Sequence, residues 1–234
     1  MIDHYDWAGG REAMLRFGPD DGPVIVAVLP LLEEANRTRT FVVTLLRMLA
    51  DKGVASVLPD LPGHGESLTP IAELTIARLT EALAAVGATL HRQGRPTIGM
   101  GVRSGALLDR GGLHQGRWCL SPVTGDDVLR DLRRVWSSGR AGARTLGAMM
   151  AGDRGRIIIA GTELSPGFMS SLAGAELLDG RDPRRVVRLA SDPRPADRVV
   201  AGTPLWRRAE PGNDPALAAL LADDIADWMK TCAA

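Results

Sequence analysis

A chain of 234 residues is long enough for one domain with a sizeable core, or for one domain plus a small lid. Its 28 basic and 28 acidic residues cancel, which argues against nucleic acid or an anionic membrane surface as the main partner. The two cysteines, Cys119 and Cys232, have no metal-ligand spacing, and no apolar stretch approaches the ~18 residues a membrane span needs. The expectation is a cytoplasmic protein with no disulfide framework, no metal and no cofactor, in which homo-oligomers are possible. Met1–Asp6 does not read as a secretory signal.

In chain order, residues 1–18 read as a hairpin turning at Ala8-Gly9-Gly10-Arg11. Val24–Leu29 is an unbroken apolar run, as in a strand covered on both faces. Pro30 to Thr38 reads as a polar loop containing Glu33 and Glu34. Phe41, Leu45, Met48 and Leu49 then recur at helical spacing up to Gly53. Val54–Pro59 is the next strand, followed by the loop Asp60-Leu61-Pro62-Gly63-His64-Gly65-Glu66-Ser67. Ile71, Leu74, Leu79, Leu83, Val86 and Leu90 mark a second helix. Thr97–Leu108 follows as strand, tight turn and helix, bracketed by Gly101 and Gly105. Arg117–Pro122 is a further strand. Residues 123–155 break the alternation and read as a lid-like insertion. An amphipathic helix opens it at Asp127–Trp136, and a small-residue segment follows at Ser137–Gly147. Arg156–Ala160 is expected to resume the sheet, with Glu163 in the loop beyond and a short helix after Ser165-Pro166. Val186–Leu189 and Val199–Val200 are the last strand candidates. Asp214-Pro215 caps a final helix whose buried face is Leu217, Leu220, Leu221, Ile225 and Trp228. Strands alternating with helices over short loops imply a single α/β domain with a mostly parallel sheet and helices on both faces.

The turn at Gly101-Val102-Arg103-Ser104-Gly105 has the spacing of a nucleophile elbow, in which the middle residue carries the reactive oxygen. Here the middle residue is Arg103, and Ser104 comes one position late. A triad on such a turn needs an acid and then a histidine further along the chain. The histidines are His4, His64, His91 and His114, and none follows Glu163. Thr203, Pro204, Trp206, Arg207 and Arg208 occupy the loop after the last strand.

Ser104 can be read as a displaced nucleophile or as the residue whose amide donates to an oxyanion. His64 can be a stray base or a residue that sets loop shape. His91 and His114 read as solvated. Glu163 can be the site's acid or a loop carboxylate. Glu33 and Glu34 can be a solvated pair or partners for the elbow arginine. A guanidinium keeps its charge when buried, so Arg103 needs a carboxylate near it. A bidentate pair with Glu34 or Glu163 is expected.

Together these elements resemble the α/β-hydrolase fold over nearly the whole chain, the Asp60–Ser67 segment matching its D-x-x-G-x-G-x-S pattern. Pro30–Arg39, Gly101–Leu108 and Ala160–Pro166 are more narrowly similar to the exosortase A system-associated hydrolase 2 group. That resemblance implies an auxiliary role in bacterial exopolysaccharide and exosortase-linked export. Two functions stand against each other. In one, the protein lacks an intact triad and binds a small-molecule or polymer-derived ligand, or a partner, at the elbow, using Glu33, Glu34 and His64. In the other it is an esterase- or thioesterase-like hydrolase with a non-standard site at Arg103 and Glu163.

Overall fold

Two glycine-containing turns set one edge of the molecule. The first, at Ala8-Gly9, joins β1 (Ile2–Trp7) to β2 (Gly10–Phe17) as an antiparallel hairpin. The second region, Gly18 to Pro23, leads into β3 (Val24–Val28), all five residues of which are buried. The structure is a computed structural model that describes residues 1–110, 114–138, 157–159, 161–179 and 182–232.

From β3 the chain alternates strand and helix through α1 (Glu33–Asp51), β4 (Ala55–Pro59), α2 (Ile76–Arg92), β5 (Thr97–Val102) and β6 (His114–Leu120). After α3 (Gly125–Ser138) come β7 (Ile157–Ile159), β8 (Thr162–Leu164), α4 (Pro166–Leu172), β9 (Arg184–Leu189), β10 (Arg198–Val200) and α5 (Pro215–Cys232). The main sheet has eight strands in the order β1-β2-β4-β3-β5-β6-β9-β10. Pairing is antiparallel from β1 through β2 to β4 and parallel from there to β10.

Alternation along the strands divides the core in two. Val24, Val26 and Val28 face Leu79, Leu83 and Val86 of α2 and Phe168 of α4. Ile25 and Ala27 face Phe41 and Leu45 of α1 and Leu221 and Ile225 of α5. Each leucine so enclosed contributes about 1.5–3 kcal/mol. One buried carboxylate ties α5 to the sheet. Asp224 accepts from Trp118 Nε1 at 2.9 Å and from Arg185 at 2.9 and 2.7 Å, and it also pairs with Arg198. Burial alone would raise its pKa, but these donors outweigh that and hold it at about 2.

Several expectations need correction. The stretch 30–38 is not a loop, because α1 already begins at Glu33. Two glutamates in a first helical turn complement the helix dipole, and Ala35 and Thr38 start the buried face. The run after the elbow is only a short 3-10 turn, Arg103–Leu107. His114 is not solvated. It opens β6, is buried, and its Nδ1 lies 2.8 Å from Thr97 Oγ1 with the Asp109 carboxylate 3.4 Å from Nε2. Ile157–Ile159 does not resume the sheet, since β7 pairs only with β8 in a separate two-stranded hairpin. Of the expected insertion, α3 is seen in part of it, whereas most of the segment Ser137–Gly147 and the rest to 155 lie outside the described residues. Among the described residues, no helix is long and apolar enough to cross a membrane.

Candidate functional site

Three adjacent strands end at the same place. β3, β5 and β6 each hand the chain to a non-glycine residue with positive φ: Leu32 at 58°, Arg103 at 52° and Ser121 at 45°. Among the described residues no other side-chain-bearing residue has a positive φ. Left-handed backbone costs an L-residue roughly 1–2 kcal/mol each, and such strain concentrates at functional sites.

The glycines flanking Arg103 are there for proximity. A Cβ on Gly101 would lie 2.6 Å from Ala106 Cα, and one on Gly105 would lie 2.4 Å from Leu29 O. The turn is therefore seated directly on the end of β3, and its central side chain is driven up from the sheet's C-terminal edge. That side chain is Arg103, 7% exposed. Its Nε and Nη2 donate to Glu34 Oε2 and Oε1 at 3.2 and 3.3 Å, a bidentate fork. Its Nη1 donates to Ser121 O at 3.4 Å. The Trp206 ring lies against it, 4.8 Å from the guanidinium carbon, in cation–π contact. Arg37 braces this arrangement from behind, donating to Trp206 O at 3.2 Å and to Glu33 Oε2 at 3.1 Å. The glutamates thus separate: Glu34 serves the elbow, and Glu33 serves Arg37.

Two amides of the turn after β3 donate to side chains. Leu31 N–H donates to Ser104 Oγ at 2.9 Å, so the buried Ser104 hydroxyl is turned to the β3 loop as an acceptor. Leu32 N–H donates to His64 Nε2 at 3.1 Å. The other ring nitrogen, Nδ1, is 3.0 Å from Pro62 O, so the network fits the neutral tautomer protonated at Nδ1. Burial lowers the His64 pKa and supports that neutral form. His64 stands behind the Leu31–Leu32 turn and holds its strained backbone.

A cavity of about 340 Å³ opens above Arg103. Leu31, Leu32, Val128, Leu132, Leu164 and Trp206 make its walls largely apolar, with Glu34 and Arg103 at the base. Glu163 is not brought to Arg103. Thr162 and Leu164 line the cavity, so Glu163 between them points to the other face of the hairpin, opposite the half-exposed Ile158. Glu163 does not follow a strand of the main sheet, because β7 pairs with β8 apart from the eight-stranded sheet. The main-sheet strand beside β6 is β9, and the loop beyond it carries Asp192, which lines the cleft, and Asp197, which accepts from Val186 N–H. Asp192 accepts from Arg194 at 2.9 and 2.8 Å and from Arg188 at 2.8 Å, and these bonds, the first above all, hold its pKa well below the carboxylate range. The loop after β10 supplies Trp206. Arg103, Asp192 and Trp206 thus stand in the loops that follow β5, β9 and β10.

Trp206, Arg37 and Asp192 were not singled out from the sequence as site residues. The signal for Trp206 was its place in the loop after the last strand. Asp192 could be found only by knowing that β9 follows β6 in the sheet.

No family model matches the chain, and no curated protein matches it. Solved structures do. A putative hydrolase from Agrobacterium vitis S4 superposes with a TM-score of 0.64 at 16% identity, covering 97% of each chain. Est1E from Butyrivibrio proteoclasticus, with ferulic acid bound, gives 0.61 at 13% identity over 98% of each chain. Mouse alpha/beta hydrolase domain-containing protein 10 gives 0.58 at 13% identity over 99% of each. At these identities the likeness is one of fold. The parallel sheet, the strained elbow and the end-to-end superpositions together make this chain an α/β-hydrolase-fold protein.

Proposed function

We propose that this protein is a binding member of its fold, without serine-hydrolase chemistry, and that the cleft above Arg103 receives a small-molecule or polymer-derived ligand. The observation that carries this reading is the state of the elbow. Its central residue is an arginine held on two sides, by the Glu34 carboxylate and the Trp206 ring. A nucleophile must be free to lose its proton to a base within hydrogen-bond reach. Among the described residues no histidine or carboxylate is hydrogen-bonded to Ser104 Oγ, which accepts from the Leu31 amide, and the basic nitrogen of His64 is taken by the Leu32 amide. The strain kept at Leu32, Arg103 and Ser121 supports a site maintained for use. The biological setting carried by the resemblance is exopolysaccharide and exosortase-linked export, with the protein as a cytoplasmic accessory. A non-standard hydrolase built on Arg103 and Glu163 fits less well, because Glu163 alternates away from the cleft.

The test is saturable binding of a neutral apolar fluorophore such as prodan, read by its fluorescence gain. Leu132→Trp, which fills the cavity wall, should abolish the saturable signal without lowering the melting temperature. Binding that is unsaturable, or untouched by Leu132→Trp, would remove the cleft from the account.

A further inference from the structure

The cleft continues past Trp206 into a second lobe of about 360 Å³. Arg103, Val123, Trp206 and Arg207 are among the residues that line both lobes. The first lobe is mostly apolar, and the second is lined largely by arginines and aspartates. Charge is unevenly balanced across the two. The walls carry five carboxylates, Glu33, Glu34, Asp127, Asp131 and Asp192, against six arginines, Arg37, Arg103, Arg130, Arg134, Arg194 and Arg207. Glu33 takes Arg37 and Glu34 takes Arg103. Asp127 takes Arg130, Asp131 takes Arg134, and Arg194 is shared by Asp127 and Asp192, the latter also held by Arg188 from outside the lining of either lobe. Arg207 lines both lobes, and its guanidinium has no hydrogen bond or ion pair among the described residues, while its backbone N–H donates to Pro204 O.

Arg207 is exposed at its side chain but not loosely placed in its backbone. It ends the short 3-10 turn Leu205–Arg207, whose Leu205 and Trp206 are buried. Arg37 holds Trp206 O, and Arg208 donates to Thr203 Oγ1 at 2.8 Å just beyond. The surplus cation is therefore fixed at the seam where the apolar lobe meets the charged one.

Resting on the cleft reading above, we infer that the ligand is a singly charged amphiphile, an apolar body with one carboxylate, and that Arg207 is the residue that selects its charge. The apolar body lies along Leu31, Val128, Leu132 and Leu164. The carboxylate meets the Arg207 guanidinium, whose planar fork matches two carboxylate oxygens. One surplus positive charge suits one negative charge. A dianion would exceed it, and an amine would be repelled by it.

The experiment is displacement of bound prodan by three probes of one chain length: octanoate, 1-octanol and octylamine. Octanoate should displace at about tenfold lower concentration than 1-octanol, with octylamine the weakest, as expected for a charge-assisted pair. In Arg207→Gln, an exposed change that should leave the melting temperature alone, the difference between octanoate and 1-octanol should largely close. Equal displacement by octanoate and 1-octanol in the native protein overturns the inference, and so does a difference that survives Arg207→Gln. In both cases saturable prodan binding lost in Leu132→Trp leaves the cleft reading standing. Absence of that binding sinks the cleft reading itself and the inference with it.

Discussion

Removing Glu34 should damage the fold more than removing Arg103. The side chain of Arg103 is 7% exposed and that of Glu34 is 25% exposed. In Glu34→Ala the guanidinium stays charged and buried without its carboxylate. Breaking a buried pair in this way costs about 3–5 kcal/mol. Ser121 O and the Trp206 ring remain against Arg103, and the ring offsets about 0.5–2 kcal/mol of that cost. The expected net loss is about 1–4.5 kcal/mol, or roughly 2–18 °C in melting temperature for a chain of this size. In Arg103→Ala the carboxylate left behind already touches solvent and rehydrates, so the loss should be nearer 1–2 kcal/mol. Alanine at φ 52° keeps the left-handed cost, so no relief comes from the backbone. The double variant should lose less than the two singles together, by about 1–3 kcal/mol. Urea and thermal unfolding of the three variants measure all of this. A Glu34→Ala protein within about 0.5 kcal/mol of the parent, or additive singles, would refute the paired-cleft reasoning.

Ser104→Ala should cost about 1–3 kcal/mol, because it leaves the buried Leu31 N–H without its acceptor; urea unfolding reads it, and a neutral result would free Ser104 for another role. Asp224→Ala should cost about 3–5 kcal/mol, since Trp118 Nε1, Arg185 and Arg198 all lose their common acceptor. Stability should also fall with acid. His64 and His114 both have lowered pKa values, chiefly through burial, so the unfolded chain binds more protons below its ordinary imidazole pKa of about 6.5. The melting temperature should therefore drop as pH falls through about 6.5, and the His64→Gln/His114→Gln variant should flatten that slope.

Much of the architecture was legible because its signals are local. Val24–Val28 is fully buried and reads as an unbroken apolar run, and α2 and α5 carry apolar residues at helical spacing. The elbow was legible from Gly101 and Gly105, whose missing side chains allow the turn to sit on Leu29. That Arg103 needs a carboxylate, Glu34 or Glu163, followed from the fixed charge of a guanidinium, and the structure supplies Glu34. What failed depended on tertiary arrangement. The start of α1 at Glu33 is set by the sharp turn at Leu32, which no sequence period announces. Ile157–Ile159 has the composition of a buried strand, yet Ile158 is 50% exposed and the segment pairs only with β8. Glu163, expected in a loop beyond a strand of the main sheet, therefore lies in β8, outside that sheet. His114 looked solvated among glycines because its partners, Thr97 and Asp109, are distant along the chain or follow the elbow.

The central claim is that an arginine has taken the reactive place and that the neighbouring serine is committed to structure. A fluorophosphonate reagent tests it most directly, with intact-mass spectrometry of the folded protein as the readout. The account predicts no mass increase after prolonged incubation, with or without Glu34→Ala. A stoichiometric adduct mapped to Ser104 would contradict it, since that serine would then be an activated nucleophile.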